Sequence, residues 1–191
     1  MNGHCERYWF LTWTTYATWM PGDERGFVSN VWNGDGPEVR HNAVGMPHDR
    51  DMPALKQAAV KSLHGEPVYL VRDQATVLVT QFQETANYRG WNLFATAIMR
   101  NHVHAFVGVP GDPEPGILLR DFKSYGSRAL NKKWSKPKND TWWTEGGSTR
   151  KKGEHQIVET ILYVRDQAYP LEVWLSPLAI DLLGERGRSL P

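Results

Sequence analysis

The segment His102-Val103-His104 sets two imidazoles two residues apart. Successive side chains of a strand alternate faces, so in a strand His102, His104 and Phe106 share one surface while Val103, Ala105, Val107 and Val109 share the other, the natural core side. Two imidazoles about 7 Å apart at the backbone are close enough to grip one metal ion. Two surface histidines on a half-exposed strand would read the same way. A second pair, Tyr163 and Gln167, is spaced one helical turn apart. An apolar stripe of Ile157, Ile161, Val164 and Ala168 places that pair on the opposite, polar side with Gln156 and Glu159. One reading is a solvated helix surface; the other is a phenol nucleophile with a carbonyl-oxygen metal ligand beside it. A phenol with its ordinary pKa of about 10 is a poor nucleophile, so that chemistry needs a metal to polarise the target phosphate and help deprotonate the ring oxygen.

The net charge of +1 conceals an uneven distribution. Residues 1–119 and 153–191 each sum to −3, whereas residues 120–152 hold 10 Lys and Arg against 3 Asp and Glu, a local +7. The cations are Arg120, Lys123, Arg128, Lys132, Lys133, Lys136, Lys138, Arg150, Lys151 and Lys152, interleaved with Tyr125, Trp134, Trp142 and Trp143. Phosphate-pairing cations beside stackable rings suit a single-stranded nucleic-acid groove, because charge tracks the backbone while rings accept any base. A solvated helix face followed by core tryptophans is the alternative. The aromatic stretch from Thr12 to Arg25 is a further candidate for base contact, although burial in a strand accounts equally well for Trp9 and Trp13. His41, His48 and His64 stand at no metal-ligand spacing and read as surface residues, while His155, one turn before Glu159, reads as a support to the site or a solvated side chain.

These residues need elements to position them. Arg7 to Tyr16, rich in aromatics and Thr, predicts a first strand, broken by Pro21-Gly22-Asp23. The sequence is then loop-like, with Asn33-Gly34-Asp35-Gly36-Pro37 and one short helix at Pro53 to Leu63, so residues 17–67 read as an insertion. Ala75, Leu78, Val79, Phe82 and Ala86, bounded by Asp73 and Gly90, predict an amphipathic helix. Trp91 to Met99 and His102 to Val109 follow as two strands joined by a tight hairpin at Arg100-Asn101. Leu118, Leu119, Phe122, Gly126, Ala129 and Leu130 give a second helix. Trp142 and Trp143 start a further strand, followed by the Gly146-Gly147 loop. A third helix runs from about Glu154 to Ala168, stopped by Pro170, leaving residues 171–191 as a tail. The order predicts a single α+β domain over residues 1–191, a ferredoxin-like (RRM-like) antiparallel sheet with helices on one face and an added C-terminal helix carrying Tyr163.

Asn101-His102-Val103-His104, the helix from Phe122 to Asn131 and Tyr163-Val164-Arg165-Asp166-Gln167 resemble the single-tyrosine HUH transposases of the IS200-like group, in particular the REP-associated tyrosine transposases. The resemblance covers about Trp91 to Tyr169 and extends loosely to the first strand. It implies cleavage and transfer of single-stranded DNA, hairpins included, with Tyr163 forming a 5′-phosphotyrosine and freeing a 3′-hydroxyl. It further implies that His102, His104 and Gln167 hold Mg²⁺ or Mn²⁺ and that the protein is a homodimer; from the basic block, Arg120, Lys123, Arg128, Lys132, Lys133, Arg150, Lys151 and Lys152 are the residues expected to contact DNA. Tyr125 competes for the nucleophile's role, but its i+4 neighbour is Ala129, which cannot bind metal.

Other features narrow the choice. Apolar runs fall far short of the roughly 18 residues of a membrane span, the first residues lack a signal-peptide layout, and the single Cys5 can form neither an internal disulfide nor a thiolate zinc site. A bacterial-type cytoplasmic, nucleoid-associated protein with no membrane partner is the expectation. Two rival functions survive: a non-enzymatic RRM-like nucleic-acid-binding domain, and a phosphoesterase whose histidines hold a metal that activates water.

Overall fold

The computed structural model describes residues 5–20, 29–31, 39–41 and 53–188. The predicted turn at Pro21-Gly22-Asp23, the Asn33–Pro37 loop and His48 lie outside the described residues. Five antiparallel strands make the main sheet: β1 (Arg7–Thr14), β4 (Asn92–Ile98), β5 (His102–Val109), β6 (Ser148–Lys152) and β7 (Glu172–Leu175), in the order β6-β1-β5-β4-β7. The first four reproduce the predicted ferredoxin-like arrangement. Within the expected insertion, β2 (Ser29–Val31) pairs with β3 (Val39–His41) where the sequence suggested only loop, and α1 (Pro53–Lys61) forms where a short helix was expected. Among the described residues no helix is long and apolar enough to cross a membrane.

Helices α2 (Arg72–Arg89) and α3 (Pro115–Asn131) cover one face of the sheet. The Val71 amide donates to Gln74 Oε1 at the start of α2 (3.0 Å), and Gly90, at φ +69°, closes it in a left-handed turn open to glycine at little cost. Proline occupies the first turn of α3, where no amide hydrogen is needed. The two helices approach closely at Gly126, where a Cβ would come 3.0 Å from Leu78 and 3.1 Å from Phe82. Against them the sheet turns Leu11, Trp13, Val103, Ala105, Val107 and Val109, the valine face read from the sequence.

The opposite face carries its own core. Phe10, Phe94 and Phe106 meet Ile161 and Val164 of α4 (Ile157–Arg165) and Ala179 of α5 (Pro177–Arg188). The segment read as a tail over residues 171–191 thus supplies, within its described part, an edge strand, β7, and a packed helix, α5. Two further elements depart from expectation. Trp142 and Trp143 do not open a strand: both are buried in the first core, Trp143 making only an isolated bridge to Thr15, and the strand begins after the Gly146-Gly147 loop, at Ser148. The third helix stops at Arg165, not Ala168, so Ala168 is exposed rather than part of an apolar stripe.

Candidate active site

The register of β1 on β5 sets Thr12 directly opposite His104 and Phe10 opposite Phe106, so these residues share the face beneath α4. The two histidines differ in burial: His104 is covered, at 6% exposed, while His102 is half-buried. The Thr12 hydroxyl lies 2.8 Å from His104 Nδ1, and His102 Nδ1–H donates to Asn101 Oδ1 (2.7 Å). The imidazole rings stand edge to face, 4.8 Å between centroids. Burial, reinforced by the charge that His102 can carry, pushes the pKa of His104 down to about 4, so the ring is neutral and keeps a lone pair throughout the physiological range.

Residue 163 comes to this pair from the far side of a 59-residue separation. The Tyr163 ring packs edge-on against His104 (5.6 Å between centroids) and against Phe10 (5.5 Å), while remaining 54% exposed. Tyr125, the competing tyrosine, sits on α3 across the sheet, under the Arg128 guanidinium at 5.1 Å. Gln167 lies just past the end of α4 rather than on its polar face; its Nε2 donates to the Tyr163 carbonyl (2.8 Å), a local cap that ties it to the tyrosine's backbone.

A family model described as "Transposase IS200 like" matches residues 67–167, more than half of the chain. The chain belongs to the IS200-like transposase family. No curated protein matches this family member significantly. Among solved structures it is similar to a REP-associated tyrosine transposase bound to a REP hairpin, with 11% identity and a TM-score of 0.45 over 84% of this chain. It is also similar to a candidate transposase from Deinococcus radiodurans R1, with 15% identity and a TM-score of 0.44 over 88% of this chain and 97% of that one. The IS200-like chain spans 66% of the length of the REP-associated protein.

In this transposase-family chain the sheet divides the basic block. On β6, Arg150 pairs opposite Phe10 and Lys152 opposite Tyr8, so both flank the histidine face, with Lys152 Nζ 6.0 Å from the Phe10 ring centre; Lys151 alternates to the other side. Arg120, Arg128, Lys132 and Lys133 belong to α3 or its end, beyond the opposite face. Lys123 is engaged elsewhere: its ammonium donates to the carbonyls of Thr144 (2.6 Å) and Gly146 (2.8 Å), and burial lowers its pKa. A cavity of about 630 Å³ beside α3, lined by Arg120, Ser124, Ser127, Trp143 and Gly147, likewise lies away from the histidines. Trp142 and Trp143 are core side chains whose indole N–H groups donate to Asn131 Oδ1 and Ser127 Oγ, so they are not stacking platforms. Trp13 is 1% exposed, which decides for burial over base contact there. His155 and His64 are exposed, away from any described metal-ligand cluster.

The residues fit a weakly held divalent ion better than a structural zinc. No group of three His, Cys, Asp or Glu side chains converges among the described residues, so the two imidazoles would need oxygen donors to complete a coordination shell. Sequence reasoning put Thr12 in a stretch of candidate base contacts and Asn101 in the hairpin and the family motif, but linked neither to the histidine rings. The signal for Asn101 was its adjacency to His102; that for Thr12 was its alternation with Phe10 on one strand face.

Proposed function

We propose that the chain is a single-stranded DNA endonuclease and strand transferase, acting on DNA that includes hairpins, with Tyr163 as nucleophile. The observation that carries this reading is the Tyr163 ring seated against His104. The Tyr163 oxygen attacks the scissile phosphorus as the P–O3′ bond breaks, the phenolic proton passes to water, and the departing 3′ oxygen takes up a proton. A 5′-phosphotyrosine and a 3′-hydroxyl result. Rejoining reverses the attack with a second 3′-hydroxyl, and because one phosphoester replaces another, no external energy source enters.

His102 and His104 would hold Mg²⁺ or Mn²⁺, with Gln167 Oε1 as a further donor, and the bound ion would polarise the phosphate as a Lewis acid. Arg150 and Lys152 line the same face and pair with phosphates of the strand, while Phe10 supports both the tyrosine and the His104 ring. Incubation with single-stranded DNA and Mn²⁺, followed by a denaturing gel, should yield a protein–DNA adduct. Tyr163→Phe keeps the ring and removes the oxygen, so adducts should vanish while DNA binding persists. Adducts formed by that variant would pass the role to another tyrosine, and water-only hydrolysis by the wild type would favour the phosphoesterase.

A further inference from the structure

The Thr-rich end of β1 contains polar groups that the proposed chemistry does not use. Thr15 is 0% exposed and Thr18 7%. The Asn101 carbonyl accepts from the Thr15 amide (2.9 Å), and both hydroxyls lie 3.1 Å from it. The two hydroxyls are also 3.1 Å from one another, and Thr18 Oγ1 lies 2.9 Å from the Thr15 carbonyl. Asn101 is thereby fixed at its backbone while its side-chain oxygen accepts a hydrogen bond from His102 Nδ1–H. His104 is held comparably: Thr12 meets its Nδ1, and the buried Thr96 hydroxyl donates to its carbonyl (2.9 Å).

A buried hydroxyl is costly unless it is hydrogen-bonded, and a surface hairpin needs no threonine cluster to close it. An imidazole held at Nδ1 by an acceptor carries its proton there and presents the Nε2 lone pair, and such outer partners fix both tautomer and ring direction. We propose that Thr12 and Asn101 are positioning residues that fix His104 and His102 in the Nδ1–H tautomer with both Nε2 atoms turned to one ligand, and that Thr15 and Thr18 serve them by locking the Asn101 backbone. For His104 this assigns the hydroxyl of Thr12 as the acceptor. The inference deepens the proposed function, since it takes the two histidines as ligands, but it concerns the rings themselves and is tested without DNA.

The decisive measurement on the full chain is imidazole ¹⁵N NMR in the absence of metal. Both histidines should show a protonated Nδ1 and an unprotonated Nε2. Thr12→Val, close to Thr in shape, should return His104 to a tautomer mixture, and Asn101→Ala should do the same for His102, while Thr12→Ser and Asn101→Asp keep the wild-type pattern. Mn²⁺ binding, followed by electron paramagnetic resonance, should weaken about 10-fold or more in Thr12→Val and Asn101→Ala, the range typical of lost outer partners, and recover in the conservative variants. An Nε2–H tautomer in the wild type, or spectra and Mn²⁺ affinity indifferent to Thr12→Val, overturns the proposal. Failure of the nuclease reading looks different: no adduct forms in any variant, yet the tautomers still follow Thr12 and Asn101. Should Thr12→Val not fold, Thr12→Ala gives the same comparison.

Discussion

The two faces of one sheet obey different rules. Toward α2 and α3 the central strands present a mainly apolar and aromatic face, Thr96 beside Ala105 being a buried exception, and the rings of Trp13, Phe82, Phe122 and Trp143 interlock at centroid distances of 5.3–6.4 Å. Toward α4 the same strands present Tyr8, Phe10 and Phe106 at one end and Thr12, His102 and His104 at the other. The period of two that builds a dry core on one side builds half a core and half a polar site on the other. One face can therefore hold the fold while the second gives part of its area to polar groups that add little packing.

The largest effect should separate the faces outright. Trp13→Ala removes a ring that is 1% exposed and should cost about 3–5 kcal/mol of stability, read by urea denaturation. His104→Ala should leave the fold and abolish adduct formation, because a lone imidazole is too little to hold the ion. A His104→Ala protein unfolded at neutral pH would refute the division of labour.

Acid offers the next test, in the presence of chelator. With its folded pKa near 4 and an unfolded value near 6.5, His104 binds a proton in the unfolded chain but not in the folded one between those limits. Its contribution is thus complete above about pH 6.5 and is lost as pH falls toward 4, on the order of 3 kcal/mol in all. The groups facing it are His102, Thr12, Tyr163 and Phe10, none of them a carboxylate. Denaturation midpoints measured across that range should lose this slope in His104→Ala.

The smallest effect concerns the basic block. Arg150→Ala should reduce the slope of log affinity against log salt for single-stranded DNA by about 0.7, one phosphate contact. Lys123→Met should leave that slope untouched and instead cost about 1–3 kcal/mol through two lost charged hydrogen bonds. Equal salt slopes for wild type and Arg150→Ala would remove the β6 edge from the DNA path.

Much of this was legible locally. The Arg100-Asn101 hairpin, the heptad-like spacing from Ala75 to Ala86 and the His102/His104/Phe106 alternation each announce themselves within one element, as did the family resemblance from about Trp91 to Tyr169. What was not legible depends on pairing across distance. Strand β6 reads Ser-Thr-Arg-Lys-Lys, an edge strand with no apolar alternation, so nothing in its composition marks it, while the two tryptophans just before it imitate a strand. The helix bearing Tyr163 ends early because Asp166 departs from helical geometry and binds Arg165, although Ala168 continues the periodicity. That α4 covers the histidine face, and that Thr12 meets His104, follows from register between strands 92 residues apart.

The tyrosine's helix is lashed at both ends. It leaves from β6, one edge of the sheet, and delivers the chain to β7, the other, so α4 with its flanking turns must travel the full width of the intervening β1, β5 and β4. Four steps of about 4.8 Å make that width roughly 19 Å, whereas nine helical residues reach only about 13–14 Å. The short turns on either side take up the remainder. Such a helix behaves as a strut under two moorings: Tyr163 can rock over His104, but it cannot swing clear of the sheet unless β7 peels from β4.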